Sequence, residues 1–144
     1  MDAIDQLLAW YAAIDRQSLA RIDEFYAPEA RFKDPFNDVQ GIGAIRNIFE
    51  HMFDTTEAPR FVILERMQRD SQAFATWRFE FALKGKPYTV QGATHFRLDA
   101  DGRVIEHRDY WDAAEELWQK LPLLGRLVAW LRTRFATPAN SHPF

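Results

Sequence analysis

The sequence of 144 residues contains no cysteine. A disulfide framework and a thiolate metal site are both excluded, and a chain of this length can bury a substantial core without either. Glycine is scarce, with six residues, and no Gly-rich phosphate loop or nucleotide fingerprint is present. No Ser–His–Asp order of the hydrolase type is found either. Neither sign of charge dominates: 18 Lys and Arg stand against 21 Asp and Glu, for a net charge of −3. That balance gives no electrostatic footprint for nucleic acid, so no nucleic-acid partner is expected. No apolar run reaches the length of a membrane span. The start, Met1-Asp2-Ala3-Ile4-Asp5, carries early acid and no basic segment, so it does not read as a signal peptide. The expected setting is cytoplasmic, with no membrane partner.

What the sequence does have is rings. Twelve Phe, five Trp and four Tyr are more than a minimal core needs. They either line a cavity or are absorbed by core packing. The order of periodicities is helices first, then strands. Ile4, Leu7, Leu8, Tyr11 and Ile14 recur at helical spacing over residues 3–15. Ser18 is a candidate N-cap for a second short helix running to Tyr26 and stopped by Pro28. A brief strand over residues 31–34 follows, then a helix after Gly41 with Ile42, Ile45, Ile48, Phe49 and Met52 inward. From Pro59 the period changes to two. Ala75, Trp77, Phe79, Phe81 and Leu83 share one strand face, and Tyr88, Val90, Gly92, Thr94, Phe96 and Leu98 share another. Asp101-Gly102 signals a hairpin. Ile105, His107, Asp109 and Trp111 are expected on one face of the last strand. This order predicts an α+β domain in which helices pack on a strongly curved, mostly antiparallel sheet.

Three stretches carry a family resemblance. Phe25 to Pro35 (FYAPEARFKDP) passes from helix to strand and ends in Asp-Pro. Gly41 to Arg46 (GIGAIR) opens a helix, and Asp101 to Asp112 (DGRVIEHRDYWD) forms a final strand. In this order, over roughly residues 3–115, the chain resembles the NTF2-like superfamily, which includes ketosteroid isomerase, SnoaL-type polyketide cyclases, scytalone dehydratase and limonene epoxide hydrolase. The resemblance implies a cone enclosing one pocket for a small apolar molecule, no cofactor, and a homodimer formed through the sheet. It also implies positions. Asp34 occupies the place of the proton-shuttling base of ketosteroid isomerase. Tyr11 matches that enzyme's oxyanion-donating tyrosine if one residue is deleted between the helices. Thr94 stands where that enzyme has a protonated Asp, so steroid isomerisation by the same machinery is not expected. SnoaL-type proteins place a His and an acid on the last strand, where His107 and Asp109 fall.

His107 and Asp109 are two apart on a strand, so they point the same way, roughly 6.6 Å apart along it. Trp111 continues that face. A carboxylate beside an imidazole in an apolar cone moves a proton near neutral pH, and Asp34 supplies a second acid–base group from another wall. Each has a plainer reading: His107 as a hydrogen-bonded structural residue, Asp34 as a turn former, Tyr11 as core. Trp77, Phe79, Phe81 and Phe49 are expected as wall residues. His107, Asp109 and Asp34 are metal-ligand types, but with one His on the face no metal is expected.

The expected function is a cofactor-independent acid–base enzyme: an isomerase, cyclase, dehydratase or epoxide hydrolase acting on a small apolar or polycyclic substrate. The competing expectation is a non-catalytic ligand-binding or dimerisation module. Residues 1–120 are expected to form the domain, residues 121–136 a helix docked on it, and residues 137–144 a frayed tail. Leu124, Leu127, Val128, Leu131 and Phe135 form the apolar stripe of that helix.

Overall fold

A computed structural model describes residues 2–112 and Thr133. The sequence expectations for the docked helix and the tail lie outside the described residues. The chain order is α1 (Ala3–Ala12), a 3₁₀ helix (Ser18–Glu24), β1 (Tyr26–Lys33), β2 (Asp38–Gln40), α2 (Ile42–Thr55), β3 (Glu57–Arg69), β4 (Gln72–Leu83), β5 (Lys86–Leu98) and β6 (Val104–Tyr110).

The α1 helix is capped by the Asp2 carboxylate, which accepts from the Asp5 N–H at 2.9 Å. It buries Ile4, Leu7, Leu8, Trp10 and Tyr11. It ends at Ala12, short of the expected residue 15, although Ile14 is still buried. The cause is local. The Asp15 carboxylate accepts from the Ser18 N–H at 2.6 Å, and the Ser18 hydroxyl accepts from the Asp15 N–H at 2.9 Å. These bonds offer the backbone an alternative to another helical turn. Ser18 therefore opens the 3₁₀ helix rather than capping it, and Gln17 holds the cap position without a side-chain bond.

The stretch expected to end a helix at Tyr26 instead begins a strand there. Pro28 lies inside β1 rather than stopping a helix. It is tolerated because the β1–β6 register shifts between Tyr26 and Arg31, so no ladder bond is asked of it. The short β2 was not expected. It pairs antiparallel to β1 with Lys33 opposite Asp38, and residues 34–37 form the turn between them.

The sheet runs β2-β1-β6-β5-β4-β3. Only β1 and β6 pair in parallel; every other neighbouring pair is antiparallel. The result is an unclosed, mixed sheet curled into a cone. Helix α1 packs against β3, and α2 against β1, β2 and β3. In β4, Ala75, Trp77, Phe79 and Phe81 face inward, as the alternation predicts. In β5, Val90, Thr94, Phe96 and Leu98 do the same. One inward assignment fails in β6. Arg97 pairs with Glu106 but Leu98 pairs with Val104, so Ile105 is an extra, bulged residue. Val104 is fully buried in its place and Ile105 is exposed.

Candidate active site

Beyond the bulge, His107 and Asp109 both point into the cone. They are tied to each other: His107 Nε2 lies 2.7 Å from Asp109 Oδ1. The same oxygen accepts from the Thr94 hydroxyl at 2.5 Å, because Thr94 sits opposite Asp109 across the β5–β6 ladder. Thr94 in turn accepts from the Trp77 indole N–H at 2.8 Å. Gly92 makes that bond possible. It pairs with Trp77, and a Cβ there would come within 2.6 Å of the indole ring and 2.9 Å of the Tyr110 carbonyl oxygen. The indole lies over the bare backbone with its N–H toward Thr94.

On the other side of the imidazole stand two buried phenols. The Tyr26 hydroxyl is 2.7 Å from His107 Nδ1, and the Tyr11 hydroxyl is 3.2 Å from it. The two hydroxyls also hydrogen-bond to each other. Burial pushes both phenols well above the ordinary tyrosine range, so both keep their protons. One direction of donation uses every proton: Tyr11 donates to Tyr26, Tyr26 to Nδ1, and Nε2–H to Asp109. With Tyr26 donating to Tyr11 instead, the Tyr11 hydroxyl donates to Nδ1 at 3.2 Å, so in either arrangement both phenol protons are spent within the cluster. The imidazole thus presents Nδ1 to the phenols and Nε2 to Asp109. Phe32 stacks on it at 4.2 Å and Phe96 meets it edge to face at 5.1 Å, fixing its plane.

Asp34 arrives from the β1–β2 turn. Its Oδ1 accepts from the Phe36 N–H at 2.8 Å and the Asn37 N–H at 2.7 Å, and the buried Asn37 amide adds a longer contact at 3.2 Å. Burial, then the Asp109 carboxylate, push the Asp34 carboxyl up to about 7 against the pull of those donors. Asp34 is therefore divided between its acid and carboxylate forms near neutral pH.

These groups gather at one end of a cavity of about 100 Å³. All ten residues singled out from the sequence line it: Tyr11, Asp34, Phe49, Trp77, Phe79, Phe81, Thr94, His107, Asp109 and Trp111. The remaining walls are apolar, Leu8, Phe61 and Ile63 among them. Asp34, Asp109 and Trp111 also line an outer groove with Lys33, Arg108 and Asp112, so the carboxylates stand where the cavity opens. Among the described residues no three of His, Cys, Asp and Glu are grouped as a metal site. Tyr11 lines the cavity, but its one hydroxyl proton is engaged within the cluster it forms with Tyr26 and His107. Sequence reasoning missed Tyr26 and Asn37. The even-numbered alternation Ala30, Phe32, Asp34 was the available signal that the strand faces the cavity from further back.

An open cone of helices on a mixed sheet, with one polar-ended cavity, defines the class of protein. The chain belongs to the SnoaL-like domain family, whose model matches residues 7–107. No curated protein matches the sequence. Solved structures share the fold. A LEH-like epoxide hydrolase from M. tuberculosis superposes with a TM-score of 0.69 at 15% identity, covering 91% of this chain and 95% of that one. A putative SnoaL-like polyketide cyclase from Jannaschia sp. CCS1 gives 0.68 at 20% identity, covering 78% and 87%. A protein with a ketosteroid isomerase-like fold from Catenulispora acidiphila, solved in complex with trimethylamine, gives 0.69 at 17% identity, covering 84% and 94%. Among the described residues no helix is long and apolar enough to cross a membrane.

Proposed function

We propose that the protein is a cofactor-independent acid–base enzyme that opens a C–O bond in a small apolar molecule, as a dehydratase or an epoxide hydrolase does. The observation that carries this reading is the pairing of two unlike carboxyls at one end of one apolar cavity. Asp34 holds its proton up to about pH 7, and Asp109 is clamped by Thr94 and His107. Two carboxyls in different surroundings divide the work. Asp34 donates its proton to the leaving oxygen as the C–O bond breaks, and the carboxylate so formed takes a proton back, from the neighbouring carbon in a dehydration or from the water that adds to carbon in an epoxide opening. The Asp109 carboxylate, held by Thr94 and His107, stabilises the positive charge developing on the substrate, and Trp111 and Phe36 add aromatic lining to the same cavity.

The donor inventory favours this chemistry over reactions through an enolate. An enolate needs several donors aimed at its oxygen, and here the Thr94, His107, Tyr11 and Tyr26 protons are spent within the network, which leaves the Asp34 proton and the Trp111 indole N–H. A homodimer through the outer face of the sheet belongs to the same proposal. That face carries a cross-strand row of Met67, Phe74, His95 and Arg108, in which Met67 and Phe74 are exposed and Phe74 stacks on His95.

The test is turnover of a panel of small alicyclic and aryl epoxides and tertiary alcohols, followed by mass spectrometry. Activity is expected to fall as pH rises through about 7, as Asp34 loses its proton. Asp34→Asn should lower kcat by about 10²–10⁴. An Asp34→Asn variant that turns over like the wild type would remove Asp34 from the chemistry.

A further inference from the structure

The polar end of the cavity is unbalanced in one respect. The protons of its hydrogen-bond network are used up, which leaves the Asp34 carboxyl proton and the Trp111 indole N–H as donors. Trp77 N–H goes to Thr94, Thr94 O–H to Asp109, His107 Nε2–H to Asp109, and the two phenol protons stay within the Tyr11–Tyr26–His107 cluster. Its acceptors are not used up. Both bonds to Asp109 end on Oδ1, and Oδ2 has no hydrogen-bond partner among the described residues. On Asp34, Oδ2 has only a long contact at 3.3 Å to the Asn37 amide. No Lys or Arg among the described residues lines the cavity, so nothing cationic faces these oxygens from within it.

A ligand entering such a space has to bring donors, and it gains most if it also brings positive charge. A carboxylate would stand against Asp109 and could share only the Asp34 proton and the Trp111 indole N–H. A neutral alcohol would satisfy one acceptor. A protonated amine supplies two or three N–H donors and one charge for the Asp109 carboxylate; in the outer groove Lys33 is turned to Asp38 and Arg108 to the Tyr110 ring. The rings of Phe36 and Trp111, with centroids 5.6 Å apart, line the same cavity as the two carboxyls. Ring faces attract a desolvated cation.

We infer that the cavity selects small apolar molecules carrying a protonated amine, with the ammonium group on Asp109 Oδ2 and the apolar body against the aromatic walls. The inference deepens the reading of the site as an acid–base centre that stabilises developing positive charge. An ammonium is a stable counterpart of that charge, so such amines are competitive ligands of the reaction centre. Asp34 stays available as the proton donor beside the bound molecule.

The experiment is calorimetric titration of the full-length protein with three one-ring probes of similar size: benzylamine, benzyl alcohol and benzoate. At neutral pH they are cationic, neutral and anionic. Benzylamine should bind about tenfold or more tighter than benzyl alcohol, and benzoate should not bind. Asp109→Asn keeps an oxygen able to accept from Thr94 and His107 but removes the charge. In that variant the preference for the amine should collapse to about one while benzyl alcohol still binds. Benzyl alcohol binding as tightly as benzylamine in the wild type would overturn the inference and leave the acid–base reading standing. Survival of the amine preference in Asp109→Asn would also overturn it. Failure of all three probes to bind would overturn both. Amine selectivity without any turnover of epoxides or alcohols would uphold the inference and sink the catalytic reading.

Discussion

Asp34 couples the chemistry of the site to the stability of the fold. In the unfolded chain its carboxyl has an ordinary value near 3.8, whereas in the folded cavity it is pushed up to about 7. Between those limits the folded state holds a proton that the unfolded state has released. Its contribution to stability is therefore fully present below about pH 4 and is lost as pH rises to about 7, at up to about 1.4 kcal/mol per pH unit. Asp34→Asn keeps an acceptor for the Phe36 and Asn37 N–H groups and removes the titration. Urea denaturation at pH 5 and pH 7.5 should show the wild type losing about 2 kcal/mol more than the variant over that interval. Equal losses would mean that Asp34 is not held protonated. At this scale much of the site was readable in advance. His107 and Asp109 two apart, and Asp before Pro35, are local patterns that place three groups on cavity-facing positions. Tyr26 and Asn37 were not readable. Tyr26 matters through His107, 81 positions away, and Asn37 through a turn whose second strand is three residues long.

Element by element, what could be read tracks what is local. The alternation in β4 and β5 is clear because each strand has one buried face along most of its length. The β2 segment has little strand preference of its own and exists because β1 pairs with it. The Tyr26 region obeyed a non-local partner, the parallel strand β6, over the local stop signal of Pro28. The Ile105 bulge is likewise a property of a register and not of a sequence pattern. Gly92 shows how an element carries the site. Its missing side chain is the space in which the Trp77 indole lies on its way to Thr94. Gly92→Ala should displace that ring and cost about 1–3 kcal/mol in stability. A shift in tryptophan emission should accompany the lower denaturation midpoint. An unchanged midpoint with unchanged emission would show that the indole is not held there.

For the molecule as a whole, the sheet has an inner face committed to the cavity and an outer face with unusual apolar exposure. Met67 is 70% exposed, and Leu64, Phe74 and Tyr110 are all above 40%. Exposed apolar side chains clustered on one sheet face mark an association surface. Multi-angle light scattering at micromolar concentration should return twice the mass of the 16.9 kDa chain. Phe74→Lys should shift it to monomer without unfolding, since Phe74 lies outside the core. A wild-type chain that scatters as a monomer at all concentrations would contradict the dimer.

The central claim is that one carboxyl at the mouth of an apolar cavity keeps its proton to neutral pH because of burial and a second carboxylate beside it. Carbon-detected NMR of aspartate-labelled protein, following the Asp34 side-chain carboxyl from about pH 3 to about pH 9, tests it directly. The midpoint is predicted at about 7 in the wild type, and lower in Asp109→Asn, where the neighbouring charge is gone. A wild-type midpoint close to the ordinary 3.8, unmoved by Asp109→Asn, would contradict it.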